Sequence, residues 1–140
     1  KKIIEKLFQQ INANSGLGSY GLKEVIEFLK NNIADTVIIT DDTNLYRIEL
    51  KCKKCQNIRE EILERPEIIP KKTQLLSEPC PSCNSMDMEL SEQDIVDYLA
   101  LIAAQTGTKI EVVAGKAEHG VMLSSLGKIA AILRYNPNYN

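Results

Sequence analysis

Two pairs of cysteines constrain this chain more than any other feature of its sequence. Cys52 and Cys55 form one Cys-x-x-Cys pair, Cys80 and Cys83 form the other, and 24 residues separate the two pairs. Each pair can present two thiolates to one ion, and Zn²⁺ favours four such ligands in a tetrahedron, so the spacing predicts a structural zinc site. Two disulfides or four unrelated cysteines are the alternatives. A catalytic zinc is disfavoured because four cysteines leave no open coordination position.

Size and charge limit the classes of protein that this chain can be. Its 140 residues, 44% of them hydrophobic, suffice for one compact core and predict one domain carrying one insert. A net charge of -2 argues against a surface built to coat nucleic acid. No apolar run has the length of a membrane helix and no leader opens the chain, so we expect a soluble, cytoplasmic protein with no membrane partner. Because the opening residues already resemble helix interior, we expect the chain to be cut from a longer one.

Apolar periodicity predicts that helices and strands alternate along the chain. Ser91 and Asp94 have the form of a capping box for the third helix. The segment between Cys52 and Cys83 is rich in charge and proline, so it is predicted to be an insert with little core of its own. This order implies helices on both faces of a mixed sheet. The predicted helices cover 1–12, 22–32, 92–105 and 118–126, and the predicted strands cover 37–39, 47–51, 86–90, 109–114 and 129–133.

A glycine-rich segment, Gly16-Leu-Gly-Ser-Tyr-Gly21, has the form of a dinucleotide-binding fingerprint. Asp41 and Asp42 follow about 20 residues later, as that motif requires. The motif must, however, leave a strand, because the phosphates lie where the strand turns into a helix. The residues before Gly16 have helical periodicity instead. We therefore interpret this segment as a flexible link into the helix at Leu22.

The predicted strand over 129–133 is followed by Arg134 and Tyr135, two residue types that are enriched at binding hot spots. This placement indicates a docking surface near the sheet edge, and an ordinary sheet strand is the alternative. The five tyrosines are scattered rather than interleaved with basic residues, so no stacking platform for single-stranded nucleic acid is predicted.

Three segments together carry a family resemblance. Residues 16–25, 35–39 and 127–135 read GLGSYGLKEV, DTVII and GKIAAILRY. Together they resemble the C-terminal domain of archaeal class I peptide chain release factors, whose GGIAAILRY ending differs at Leu126 and Lys128. The resemblance spans nearly the whole chain, and the cysteine pairs lie where archaeal members carry a small zinc-binding insert.

The resemblance implies a fold. It is a three-layer α/β/α sandwich with a mixed sheet, similar to kink-turn-binding ribosomal proteins, plus a zinc-binding insert at about 52–85. Residues 1–15 would be a helix from a preceding domain or linker, and 16–140 the domain itself. Those ribosomal proteins read RNA with a Gly-x-Asn-Glu segment. The comparable Gly21-Leu-Lys-Glu24 lacks the asparagine, so no direct sequence-specific nucleic-acid binding is expected.

The resemblance also implies partners. In the release-factor family this domain binds the translational GTPase that delivers the factor and the iron-sulphur ATPase that splits the ribosome, which the full-length factor contacts. The family's GTPase-binding region carries over to Ile132, Leu133, Arg134 and Tyr135. Peptidyl-tRNA hydrolysis in that family depends on a Gly-Gly-Gln loop in another domain. No Gly-Gly-Gln occurs here, so the chain is predicted to have no catalytic residues and no enzyme activity of its own.

Three alternative functions remain open at this point. The paralogous Pelota ribosome rescue family shares this domain and a similar IAAILR ending, although the cysteine pairs favour the release factor. A dinucleotide-dependent enzyme would use the glycine-rich segment. A zinc-ribbon RNA-binding protein would use a local basic patch formed by Lys51, Lys53, Lys54, Lys71 and Lys72.

Overall fold

The computed structural model describes residues 2–137 and shows a mixed α/β chain with two sheets and five helices in that range. Residue 1 of the predicted helix 1–15 and residues 138–140 of the predicted domain 16–140 lie outside the described residues. The helices are α1 Lys2–Asn12, α2 Leu22–Lys30, α3 Arg65–Leu76, α4 Ile95–Thr106 and α5 Glu118–Ser124. The strands are β1 Gly18–Tyr20, β2 Ala34–Thr40, β3 Leu45–Cys52, β4 Ile58–Glu64, β5 Met88–Asp94, β6 Lys109–Val113 and β7 Ile129–Leu133.

The chain divides into two compact units. The first comprises the residues up to 43 and those from 99 onward, and the second comprises residues 44–98. Across the part of the chain that is described, no helix is both long enough and apolar enough to cross a membrane.

The first unit is built on a four-stranded mixed sheet in the order β1-β7-β2-β6. β2 runs parallel to β6 and antiparallel to β7, which also pairs with β1. The run Val37-Ile38-Ile39 in β2 is fully buried, as expected for β-branched residues on a pleated surface covered by other elements. The strands predicted at 109–114 and 129–133 are confirmed within one residue, and the strand predicted at 37–39 is confirmed but begins three residues earlier, at Ala34.

One face of this sheet packs against α1 and α5. The amphipathic spacing predicted for the first helix is confirmed, because α1 turns Ile4 and Leu7 into the core and leaves Glu5 exposed. On the strands, successive side chains point to opposite faces, so Val37 and Ile39 face away from Ile38. α2 also contacts β2 and β7. The cluster on the α1 and α5 face comprises Ile4, Leu7, Ile38, Val113, Leu123, Ala130 and Ile132.

The second unit is a three-stranded antiparallel sheet in the order β4-β3-β5, with α3 packed on one face. Ile48 and Leu50 of β3 form a buried cluster with Ile68 and Leu75 of α3. Residues 52–83 contribute only Ile68 and Leu75 to this cluster and depend on β3 to complete it, which agrees with the prediction that they have little core of their own. The charged residues between the cysteine pairs lie on β4 and α3, and the apolar side chains of these two elements pack against β3.

The segment rich in proline is not predicted to be helical, but residues Arg65–Leu76 form α3. Pro66 lies in the first helical turn, where its missing N–H is not needed, so it favours the helix rather than ending it. The helix start is further fixed by a capping box, in which the Glu67 carboxylate accepts a hydrogen bond from the Glu64 N–H at 3.0 Å. Pro70 lies inside the helix, which continues to Leu76. Packing against the sheet offsets the propensity cost of this proline.

Two other predictions need correction. β5 extends to Asp94, so Ser91 belongs to a strand and the predicted capping box does not form. α4 begins at Ile95, and the Asp94 carboxylate instead accepts a hydrogen bond from the Val96 N–H at 2.9 Å. The glycine-rich segment is not a flexible link either, because it contains β1, which pairs with β7.

Candidate functional site

The four cysteines converge at one end of the second unit's sheet. All four Sγ atoms lie within 4.8 Å of one another. The Sγ atoms of Cys52 and Cys83 are 3.5 Å apart, and those of Cys55 and Cys80 are 3.6 Å apart. A tetrahedral ion with metal–sulphur bonds of about 2.3 Å places its sulphurs about 3.8 Å apart, whereas a disulfide requires about 2 Å. The four free thiols therefore match the geometry of one metal ion and not that of two disulfides.

Two matching turns build this cluster, one around each Cys-x-x-Cys pair. In each turn, the N–H that follows the second cysteine donates to the carbonyl of the first: Gln56 to Cys52 at 2.9 Å, and Asn84 to Cys80 at 2.8 Å. The N–H of each first cysteine donates to a carbonyl five residues further on, at 2.9 Å in the first turn and 2.8 Å in the second. Backbone hydrogen bonds within each turn thus help to position the four thiols.

The four thiols differ in how easily they ionise. Hydrogen bonding from the Cys83 backbone N–H is the main cause that lowers the pKa of Cys80 to about 6. At Cys55 the Asn57 N–H favours the thiolate, but desolvation and the neighbouring thiols of Cys80 and Cys52 outweigh it and raise the pKa to about 12. The cluster therefore resists holding four negative charges on its own. A divalent cation would remove that resistance, so the donor set fits a metal ion of the kind that thiolates bind.

The predicted partner-binding residues separate into two groups. β7 is an interior strand between β1 and β2, and Ile132 and Leu133 are each only 5% exposed. Arg134 is exposed just beyond the strand, and Tyr135 is 54% exposed. Arg134 also contacts the end of α4, since its Nη2 donates to the carbonyls of Thr106 at 3.2 Å and Gly107 at 3.4 Å. Only Arg134 and Tyr135 therefore offer side chains to a partner.

The glycine-rich segment does not form a dinucleotide site. The fingerprint needs a strand that ends at the first glycine, but β1 begins at Gly18, inside the motif. β1 pairs with β7 along its whole length, and the Leu133 N–H donates to the Leu17 carbonyl at 2.8 Å. The segment therefore contributes an antiparallel strand to the sheet, and its turn into α2 lies at the last glycine of the motif, Gly21, rather than at the first.

Sequence reasoning missed a cavity of about 410 Å³ beside α3. Arg59 lines it from β4, opposite Leu50 in the strand register. The sequence does contain a signal for a charged group at this cavity. Arg59 and Leu63 are four residues apart, so in a strand they lie on the same face, and that face packs against α3. This signal could not be interpreted without first recognising β4 as a strand.

The chain is similar to known proteins over nearly all of its length. Residues 1–137 match the family model described as eRF1 domain 3. Peptide chain release factor subunit 1 of Methanocaldococcus jannaschii is 33% identical over 130 residues, which make up 92% of this chain and 31% of that protein. The chain therefore spans about a third of the length of the curated relatives it matches.

Solved structures extend the comparison. The C-terminal domain of peptide chain release factor from Methanosarcina mazei superposes with a TM-score of 0.81 at 27% identity, covering 99% of this chain and 83% of that chain. A model of ribosome-bound archaeal Pelota and ABCE1 gives a TM-score of 0.50 at 22% identity, covering 96% of this chain and 25% of that chain, a likeness of fold alone. Since the family model spans nearly every residue, this chain belongs to the eRF1 domain 3 family.

Proposed function

We propose that this chain is the C-terminal domain of an archaeal peptide chain release factor and acts in translation termination, in the cytoplasm, by binding partners rather than by catalysis. The match of the family model to residues 1–137 carries this proposal. The M. mazei release-factor domain, similar over 99% of this chain, supports it. Peptidyl-tRNA hydrolysis would then belong to another domain of the full-length factor, which also contacts the ribosome.

The cysteine cluster, in this proposal, holds one structural Zn²⁺ through Cys52, Cys55, Cys80 and Cys83. Zinc bound in this way joins the two turns and excludes water and substrate from the ion, because all four coordination positions are taken. The proposed domain covers 16–140, with the zinc-binding insert at about 52–85 and residues 1–15 as a helix from a preceding domain or linker. We also propose the three-layer sandwich of the kink-turn-binding proteins for the first unit, which the alternation of Val37, Ile38 and Ile39 supports.

Two partners follow from the family. We propose that a translational GTPase binds at the segment Ile132–Tyr135, with Arg134 and Tyr135 making the contacts and the buried Ile132 and Leu133 supporting them from the sheet. The second partner is the ribosome-recycling iron-sulphur ATPase. The similarity in fold to Pelota, in a model that pairs it with ABCE1 on the ribosome, supports this assignment.

Calorimetric titration with the translational GTPase of the same organism tests the proposal. Tyr135→Ala is the informative variant, because Tyr135 is 54% exposed and its removal leaves the sheet intact. Tyr20→Ala is the matched control, since Tyr20 is 50% exposed on β1. We expect at least a tenfold loss of affinity for Tyr135→Ala and none for Tyr20→Ala. Equal affinities for both variants and the parent chain would overturn the proposed docking site.

Arg134→Glu is a poorer first test. It would place a carboxylate against the Thr106 and Gly107 carbonyls at the end of α4, where negative charge is unfavourable. A loss of binding by that variant would mix docking with local unfolding. Arg134→Gln, which keeps a donor for those carbonyls, separates the two effects.

A Pelota-type ribosome rescue factor is the second candidate. The Pelota likeness in fold favours it, whereas the greater similarity to release factors over the whole chain favours termination. The preceding coding sequence discriminates between them. A Gly-Gly-Gln loop in the preceding domain would identify a release factor, and a comparable domain without that loop would identify a rescue factor.

An RNA-binding zinc ribbon is less well supported by the second unit. Acidic residues outnumber basic ones over 44–98. Lys71 pairs with Glu61 at 3.2 Å, and Lys72 pairs with Glu92, so two of the five lysines in the predicted basic patch are partly neutralised. Affinity for RNA that falls steeply with added salt would reinstate this alternative.

A further inference from the structure

Arg59 lies on the face of the second unit's sheet that packs against α3. It is paired in register with Leu50, and directly opposed residues of an antiparallel pair project to the same side. Leu50 belongs to the buried cluster with Ile68 and Leu75. Arg59 therefore brings a cation to the apolar interface between β3, β4 and α3, where a cavity of about 410 Å³ lies.

The guanidinium of Arg59 has unused binding capacity. Its Nε and Nη2 are shielded from solvent, and neither has a hydrogen-bond partner among the residues the structure describes. These two nitrogens form one edge of the guanidinium, and a pair of parallel N–H bonds from such an edge matches the two oxygens of a carboxylate. Unpaired N–H groups of a cation are unfavourable when buried, which favours any anion able to reach them.

The neighbouring glutamates do not meet this need, although both line the cavity. Glu60 accepts a hydrogen bond from the Arg47 Nε at 2.6 Å, and Glu61 pairs with the Lys71 ammonium at 3.2 Å. Each carboxylate is therefore committed to a different cation. The Nε and Nη2 of Arg59 remain without an acceptor among the described residues, beside a wall of aliphatic side chains, those of Ile48, Leu50 and Leu75.

We propose that this cavity binds a branched-chain aliphatic carboxylate. The carboxylate takes the paired N–H groups of Arg59, and the branched apolar group lies against Ile48, Leu50 and Leu75. A neutral ligand would leave the guanidinium of Arg59 without an anion, and a fully polar anion would leave the side chains of Ile48, Leu50 and Leu75 in contact with water. The volume falls within the range of about 300–1,000 Å³ that is typical of ligand pockets. The ligand is either a free small acid or the carboxy-terminal residue of a polypeptide that ends in leucine.

Titration of the isotope-labelled chain followed by NMR tests this site. The probes are isovalerate, its neutral isostere isovaleramide, and a short peptide ending in leucine with either a free or an amidated terminus. We expect isovalerate to shift the amide signals of Ile48, Leu50, Arg59 and Leu75, and isovaleramide to leave them unchanged. A peptide that binds more tightly than isovalerate and loses its binding on amidation identifies a chain terminus as the ligand. A peptide without that advantage identifies a small acid.

Two substitutions and a control complete the test. Arg59→Met keeps the aliphatic stem and is expected to weaken isovalerate binding at least tenfold, while Arg59→Lys, which keeps the charge but loses the paired N–H groups, falls between Arg59→Met and the parent chain. Arg65→Met removes an exposed arginine of the same unit and is expected to change nothing. Equal binding of isovalerate and isovaleramide, unchanged affinity in Arg59→Met, or the absence of shifts with every probe would overturn the proposal.

Discussion

Gln56 and Asn84 occupy the same position in the two cysteine turns and share one backbone conformation, with φ of 65° and 64°. Each follows the second cysteine of its pair and donates its N–H back to the first cysteine. This left-handed conformation suits glycine, and asparagine tolerates it better than most other residues. Gln56 is therefore the more strained of the two. Its side-chain bond to the Lys53 carbonyl, at 3.2 Å, offsets part of that strain.

A branched residue at position 56 is expected to be costly. Gln56→Val should lower the free energy of unfolding by about 2 kcal/mol relative to Gln56→Gly, because valine resists positive φ and glycine does not. Urea unfolding of the metal-loaded chain measures the difference. Gln93→Val, the same substitution in the extended strand β5, is the control and should cause little loss. Equal stabilities for the valine and glycine variants at position 56 would contradict the assigned turn.

Metal loading is expected to stabilise the second unit. The purified chain should carry one zinc ion, measured by mass spectrometry of the metal. Cys80→Ser should lose the ion and several kcal/mol of stability, because the site exists only in the folded state. Ser82→Ala, which alters the same turn without removing a ligand, should retain both. Full stability of the Cys80→Ser variant, or of the parent chain after chelation, would show that the cluster does not depend on metal.

In this chain, elements that depend on residues nearby in the sequence can be predicted from it, and elements that depend on distant residues cannot. The cysteine cluster is predictable because each Cys-x-x-Cys turn is closed by hydrogen bonds within a few residues. β2 is predictable because burial on both faces requires an unbroken apolar run. β1 is not, since three residues that include a glycine form a strand only through pairing with β7. β4 and α3 are not either, because their charged and proline-rich sequences are stabilised by each other and by β3.

The same reasoning applies to the burial of the predicted docking segment. Arg134 and Tyr135, which the sequence places just beyond a strand, are exposed. Composition cannot tell an interior strand from an edge strand, because both require apolar residues. The sheet order places β7 between two partners and buries Ile132 and Leu133.

Arg47 is expected to be important for the stability of the second unit. Its Nε donates to Glu60 and its Nη1 to Glu49 at 3.4 Å, and its guanidinium lies 4.7 Å from the centre of the Tyr98 ring. Burial opposes its charge, but the hydrogen bond and charge of Glu60 outweigh burial and raise the pKa of Arg47. Glu49 and Glu60 are directly opposed in the β3–β4 register, so without Arg47 their like charges would repel.

Arg47→Met should therefore lower the free energy of unfolding by about 2 kcal/mol. Arg65→Met, which removes only an exposed guanidinium stacked on Tyr46, should lower it by about 0.5 kcal/mol. Urea unfolding of each variant provides the measurement. Adding Glu60→Gln to Arg47→Met should restore part of the loss by removing the repulsion. If the double variant lost as much as the two single variants together, the three charges would not be coupled.

Lys128 provides a test of the loop before β7. Its φ is 72°, and its backbone is fixed on both sides: its N–H donates to the Leu123 carbonyl at 3.1 Å, and its carbonyl accepts from the Thr40 N–H at 3.1 Å. The loop thus requires a left-handed residue at this point. The release-factor family ending that this segment resembles has glycine at the same place, so the structure gives a physical reason for that glycine.

The Lys128 ammonium lies 3.8 Å from the Asp42 carboxylate, and both side chains are largely exposed, so this ion pair contributes little. A hydrogen bond from Thr40 is the main cause that lowers the pKa of Asp42, and the charge of Lys128 lowers it further. A lowered carboxyl pKa adds stability above the pKa of the unfolded chain, and that stability is lost as pH falls through the folded pKa. Any advantage of Lys128 over alanine should therefore shrink in acid.

Lys128→Gly and Lys128→Ala both remove the ion pair, and they differ only in how well they accept positive φ. The glycine variant should be more stable than the alanine variant by about 1 kcal/mol, and this difference should persist from neutral to acid pH because no charge contributes to it. Urea unfolding at two pH values measures both effects. Equal stabilities for the glycine and alanine variants at both pH values would contradict the requirement for a left-handed backbone at position 128. A difference that persists at both pH values assigns the gain in stability to the backbone conformation. The hydrogen bonds to Leu123 and Thr40 then hold Lys128 at a positive φ that glycine would adopt more easily.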